Sequence, residues 1–270
     1  MRWQGGRKSG NVEDRRGMSG GAVAGGGIGV LVIALIGYFV FGIDPSQTAQ
    51  VLDQAAVSSS PQGDAPVGTP EDQAGQFVDV IGTNIDDVWR SQMEGYQPPG
   101  FGQAAMGPFY CPNDQTVYLD LSFWQEMEDK LGASGADFAR AYVIAHEFGH
   151  HVQTLTGTSA KVREAQKGAR SQADANKYSV ALELQADCYA GVWAAHAADA
   201  SGGQVALEQG DVEEGMKTAN AIGDDMLQKR STGRVSPEGF THGTSAQRME
   251  WLRRGITTGD PRQCDTFSAL

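Results

Sequence analysis

The chain has 270 residues, 40% of them hydrophobic and 20% charged, which is enough to bury a sizeable core in one large or two small domains. Its net charge of −12 is uneven: residues 1–43 carry five basic and two acidic side chains, so the remainder carries −15. So acidic a body argues against nucleic acid as a partner.

The first expected element is residues 22–43, AVAGGGIGVLVIALIGYFVFGI, within a stretch uncharged from Gly17 to Ile43. It is apolar on all sides and about as long as the ~20 residues a helix needs to cross a bilayer. A transmembrane helix is therefore expected, not a buried core helix. Arg2, Arg7, Lys8, Arg15 and Arg16 precede it, and the next basic residue is Arg90. The positive-inside rule then places residues 1–21 in the cytoplasm and everything past residue 43 outside it. No small-x-small cleavage site follows in FGIDPSQTAQ, so the span is expected to remain as an anchor. Residues 44–70, rich in Pro, Ser, Gln, Gly and Ala, read as a flexible tether. The folded domain is expected over 71–270.

Within it, Phe77, Val80, Ile81, Ile85, Val88, Trp89 and Met93 recur at helical spacing. TVYLDLSF, residues 116–123, alternates strictly and reads as a half-buried strand. A long helix is expected from Ser134 as N-cap to a terminator at Gly157, with Phe138, Tyr142, Ala145, Phe148, Val152 and Leu155 packing. Further helices are expected over about 178–198, over about 212–228 and after Thr244, where T-x-x-Q forms a capping box. The fold class is α+β, mostly helical with a small sheet. Of three cysteines, Cys111 and Cys264 sit in loop-like contexts and favour that bridge, with Cys188 as a buried thiol, although spacing alone does not choose the pair.

The chemistry concentrates in AYVIAHEFGHHVQTL, residues 141–155. His146 and His150 lie four residues apart, about 40° around a helix, so two imidazoles can grip one ion. Glu147, about 100° from His146, can reach a water on that ion without binding the ion itself. This is the HExxH zinc pattern. His151, about 140° away, lies off that face. A catalytic zinc needs three protein ligands and an open position. The form with a third histidine is excluded, because Gln153 and Thr156 occupy the places it requires. LELQADCYAG instead supplies Glu183 as third ligand, and Asp187, one turn on, as acceptor for the outer N–H of a zinc-bound histidine. By themselves these two acids could be a solvated face. Their neighbours Val180, Leu182, Leu184, Ala186, Cys188, Tyr189 and Val192 are apolar, so the acids need a partner. FTHGTSAQR offers two donors for a developing oxyanion, His242 and Arg248, of which Arg248 reads more readily as a surface residue. His196 reads as structural.

HEFGHH followed by LELQAD is similar to the gluzincin side of the HExxH metallopeptidases, in which a downstream ExxAD or ExxxD helix gives the third ligand. More narrowly, the chain resembles the bacterial putative neutral zinc metallopeptidase family. That family shows a basic N-terminus, one membrane span, and segments like YCPNDQTVYLDLSF, AYVIAHEFGHHVQ, LELQADCYAGVW and THGTSAQR. The resemblance implies a zincin-like domain, one Zn2+ ion held by His146, His150 and Glu183, and Glu147 as the catalytic residue. It also implies a peptide or protein substrate and a bacterial cell membrane as the site of anchoring. In related zincins an edge strand pairs with extended substrate, a role open to residues 116–123. The rival reading is a non-catalytic extracytoplasmic binding module stapled by zinc. Three ligands, none of them cysteine, and an intact Glu147 favour the enzyme.

Overall fold

The computed structural model describes residues 1–14, 67–103, 107–121, 123–268 and 270. Helix α1 (Gln73–Gln92) is capped by the Asp72 carboxylate and buries Phe77, Val80, Ile81, Ile85, Val88 and Trp89, as their spacing requires. After it come three strands, β2 (Gly100–Gln103), β3 (Phe109–Cys111) and β4 (Thr116–Leu119). Together with β1 (Val12–Glu13) they form a sheet ordered β1-β2-β4-β3, parallel except for the β3–β4 pair. The strand expected over 116–123 stops at Leu119. Phe123–Leu131 is helix α2, whose buried Trp124, Met127 and Leu131 fall at helical spacing. β4 is interior to the sheet, so the edge role considered for it does not hold; the edges are β1 and β3.

Helix α3 (Asp137–Leu155) begins later than Ser134. Ser134 instead accepts the Ala136 N–H from outside the helix, and Asp137 accepts the indole N–H of Trp3 at 2.8 Å. Helix α4 (Thr158–Lys167) follows at once through Gly157, whose φ of 75° turns the chain where other residues are strained. Helix α5 (Gln172–Ala200) is buried on nearly every side from Ala181 to Ala194, so it forms the axis of the domain. The helix expected over 212–228 is two, α6 (Asp211–Ala221) and α7 (Asp224–Thr232). They break at Gly223, where a Cβ would lie 2.3 Å from the Ser245 nitrogen. Helix α8 (Ser245–Thr258) starts with the expected capping box of Thr244 and Gln247. It crosses α5 so closely that a Cβ on Gly255 would sit 2.0 Å from the Cys188 carbonyl. The disulfide joins Cys188 to Cys264 and leaves Cys111 as the buried free thiol, correcting the favoured pairing. Pairing depended on which segment the C-terminal turn packs against, and it packs against α5.

The N-terminus brings a larger correction. Trp3 and Val12 lie in the core, β1 pairs with β2, and Arg2 exchanges backbone hydrogen bonds with Ala206. The Asp79 carboxylate on α1 accepts Ser9 N–H, Ser9 Oγ–H and Gly10 N–H, together with the Thr69 hydroxyl. Residues 1–14 are thus part of the same folded unit as the described residues from 67 onward. They cannot lie across a bilayer from it, which overturns the single-pass membrane protein with a cytoplasmic N-terminus. Among the described residues no helix is long and apolar enough to cross a membrane. The expected span 22–43 and most of the expected tether 44–70 lie outside the described residues; the tether's end is ordered, with Val67 bridging Glu13.

Candidate metal centre

Helix α3 carries His146, Glu147 and His150, and α5 carries Glu183 and Asp187. Their meeting depends on small residues at the crossing. A Cβ on Gly149 would lie 3.1 Å from the Cα of Ala186, so the absence of a side chain lets the two backbones approach between the two sets of polar groups.

There the structure brings His146, His150 and Glu183 together, with one potential ligand atom from each within 4.8 Å of the others. His146 Nε2 is 3.1 Å from Glu183 Oε2, and His150 Nε2 is 3.5 Å from Glu183 Oε1. Zinc–ligand bonds of about 2.0–2.1 Å in a tetrahedron set neighbouring donors roughly 3.3–3.4 Å apart. Both spacings fall close to that value. The outer nitrogens are engaged elsewhere: His146 Nδ1–H donates to Asp187 Oδ1 at 2.9 Å and His150 Nδ1–H to Gln153 Oε1 at 2.8 Å. Both Nε2 atoms therefore face the shared space, as two imidazole ligands require. Two nitrogens and a carboxylate, with no thiolate, fit a zinc ion that keeps an open position.

Electrostatics fit as well. Burial alone would raise the Glu183 carboxyl, but the His150 and His146 imidazoles hold it well below its ordinary range. Burial opposes charge on His146, and the Asp187 and Glu183 carboxylates outweigh it, raising its pKa to about 10. A divalent cation bound here would compete with protons for the same nitrogens.

Asp187, fully buried, is the hub behind the ligands. Its Oδ1 accepts the Tyr142 hydroxyl at 2.6 Å, His146 Nδ1–H, and Arg248 Nη2 at 2.9 Å; its Oδ2 accepts Arg248 Nε at 2.9 Å. Desolvation would raise its pKa, and Arg248 foremost keeps it below the usual carboxylate value. Arg248 is thus a buried ion-pair partner and not a surface residue. Nothing local in the sequence revealed it, since 61 residues separate the pair. Tyr142 stands four residues before His146 on the same face, a signal that also fitted simple packing.

His242 lies in the turn before α8, half-buried and close enough to Glu183 to feel its charge. Its Nδ1–H donates to Asp224 Oδ1 at 3.2 Å. Asp224 Oδ2 also accepts the backbone N–H groups of Thr241, His242 and Gly243. Burial opposes charge on His242, and Asp224 raises its pKa above the ordinary value nonetheless. Asp224 was not singled out from sequence; two adjacent acids at a helix start look like ordinary complements to the helix dipole. The two remaining histidines stand elsewhere. His151 donates through Nε2–H to the Gln97 carbonyl and accepts the Tyr110 hydroxyl, and His196 contacts the Gly259 carbonyl.

Comparison with known proteins agrees with this chemistry. The family model described as putative neutral zinc metallopeptidase matches residues 1–267. The uncharacterized protein YpfJ of Escherichia coli strain K12 is 48% identical over 295 residues, covering 99% of either chain. The uncharacterized protein Rv2575 of Mycobacterium tuberculosis strain H37Rv is 43% identical over 211 residues, covering 71% of this chain and 70% of its own. No solved structure matches. With nearly its whole length matched, the chain belongs to the putative neutral zinc metallopeptidase family.

Proposed function

We propose that the protein is a zinc-dependent peptidase that hydrolyses peptide bonds of a peptide or protein substrate. The observation that carries this reading is the convergence of His146, His150 and Glu183 on one space, with Glu147 beside it on α3. One Zn2+ ion bound there would supply a Lewis acid and bring a water's pKa to about 7. Glu147 is the general base: it takes the proton of the attacking water and passes it to the leaving amine. His242 is the donor to the oxyanion that develops on the scissile carbonyl. Asp224 engages its Nδ1–H, which leaves Nε2 as the nitrogen to donate, and favours its protonated form. Asp187 sets the tautomer of His146, with Arg248 and Tyr142 holding Asp187 in place.

Glu147→Gln tests the assignment. The variant should keep its zinc, measured by metal analysis after gel filtration, and lose on the order of a hundred-fold or more in turnover of a peptide library. Unchanged turnover would reject Glu147 as base. A zinc-loaded wild type that cleaves no member of a varied library would favour the non-catalytic binding module.

A further inference from the structure

Asp187 orients His146, but among the described residues His150 has no carboxylate behind it. Its Nδ1 meets an amide, Gln153, one helical turn further along α3. An amide is ambiguous where a carboxylate is not. Turned one way it presents an oxygen and stabilises the Nδ1–H tautomer of His150, leaving the Nε2 lone pair for a metal. Turned the other way it presents NH2 and stabilises the tautomer whose Nε2 cannot be a ligand.

The surroundings remove the ambiguity. Gln153 is fully buried, and its Nε2 donates to the Leu182 carbonyl at 2.7 Å and to Gln185 Oε1 at 3.1 Å. A carbonyl oxygen only accepts, so the Gln153 NH2 must face Leu182 and its oxygen must face His150. Gln185 is set in the same way: its Nε2 donates to the Cys264 carbonyl at 2.9 Å, which leaves its oxygen for Gln153. Reversing either amide would set oxygen against oxygen in a site that water does not reach. Cys264 is held in place by its disulfide to Cys188 on α5.

We propose that Gln153 and Gln185 are positioning residues: a two-amide relay, polarised by the backbone carbonyls of Leu182 and Cys264, that selects the metal-binding tautomer of His150. The inference rests on His150 being a ligand, as read above. It explains why two buried glutamines stand in the interior of α3 and α5, where apolar residues would pack at lower desolvation cost.

The test uses the full chain and Zn2+ in a chelator competition, together with 15N–1H spectra of the imidazole N–H groups in the zinc-loaded protein. Gln153→Met should weaken zinc binding roughly ten- to hundred-fold, the usual effect of losing a ligand's outer partner. It should also speed solvent exchange of the His150 Nδ1–H while the Asp187-bound His146 Nδ1–H stays as in wild type. Gln185→Met, which spares the His150–Gln153 contact, should give a smaller change in the same direction, and it carries the test if Gln153→Met does not fold. Zinc affinity within about twofold of wild type for both variants, or equal acceleration of both imidazole protons, overturns the relay. Wild-type protein that takes up no zinc overturns the metal-site reading beneath it.

Discussion

Replacing Arg248 by Met removes a cation from a place where water cannot substitute for it. Arg248 is 4% exposed and Asp187 0%, and two charge-assisted hydrogen bonds of 2.9 Å join them. Deleting one member of a buried pair costs about 3–5 kcal/mol, because the other charge is left without compensation. Here Tyr142 and His146 remain on Asp187 Oδ1 and soften the loss, so about 3 kcal/mol is expected, the lower end of that range. In a protein of this size that corresponds to a fall in Tm of roughly 6–12 °C. Urea unfolding of metal-free protein with its disulfide intact measures it. The double variant Asp187→Asn/Arg248→Met should be more stable than the sum of the single losses predicts, by about 1–3 kcal/mol, since the second change removes the charge the first one stranded. A single-variant loss under about 1 kcal/mol, or strict additivity, would refute the claim that Arg248 holds the hub behind His146.

Three further outcomes follow from the packing. Asp79→Ala should cost about 2–3 kcal/mol and release residues 1–14, read as faster amide exchange at Ser9 and Gly10, because both N–H groups lose their acceptor. Unaltered protection there would show that β1 and Trp3 suffice without it. Gly255→Ala should destabilise by about 3 kcal/mol or more despite the better helix propensity of alanine, since its Cβ would meet the Cys188 carbonyl at 2.0 Å and force α8 away from α5; a neutral Tm would contradict so close a crossing. Burial pushes the Asp86 carboxyl up to about 7, in spite of the hydrogen bond from Tyr96. Its folded form therefore keeps a proton that the unfolded chain has already lost. Its contribution is complete below about pH 4 and disappears as pH rises through about 7. A three-unit shift corresponds to about 4 kcal/mol, and Asp86's partial exposure reduces the expected change to about 2. Asp86→Asn should flatten that part of the stability–pH curve, and an identical curve for wild type and variant would exclude the assignment.

The long amphipathic helices were legible because each buries a stripe that local spacing displays, as Phe77 to Trp89 do in α1. The capping box at Thr244 was legible for a similar reason, since its partners are three residues apart. HEFGH and LELQAD could be read as two halves of one site, because coordination constrains spacing within a helix and two acids among apolar residues need a counter-charge. Other features were hidden. The short strands β2 and β3 show too few residues to establish alternation. The split at Gly223 answers to Ser245, far along the chain. Gln153 was read only as the residue that rules out another ligand pattern, since its bond to a carbonyl 29 residues away leaves no local trace.

The helices and the residues that converge as His146, His150 and Glu183 could be read from the chain alone, because helical geometry relates residues three and four apart without reference to anything else. It took the folded arrangement to show that Arg248 faces inward, that Asp224 holds His242, that Cys188 takes Cys264, and that residues 1–14 join the domain they were expected to face across a membrane. Each of those depends on which distant groups share a space from which water is excluded. The charge of the N-terminal segment suggested a topology through a rule about loops flanking membrane spans. A buried indole, a strand pairing and a carboxylate accepting from Ser9 and Gly10 instead tie that segment into the core, where desolvated hydrogen bonds and packing outweigh the preference its basic residues express.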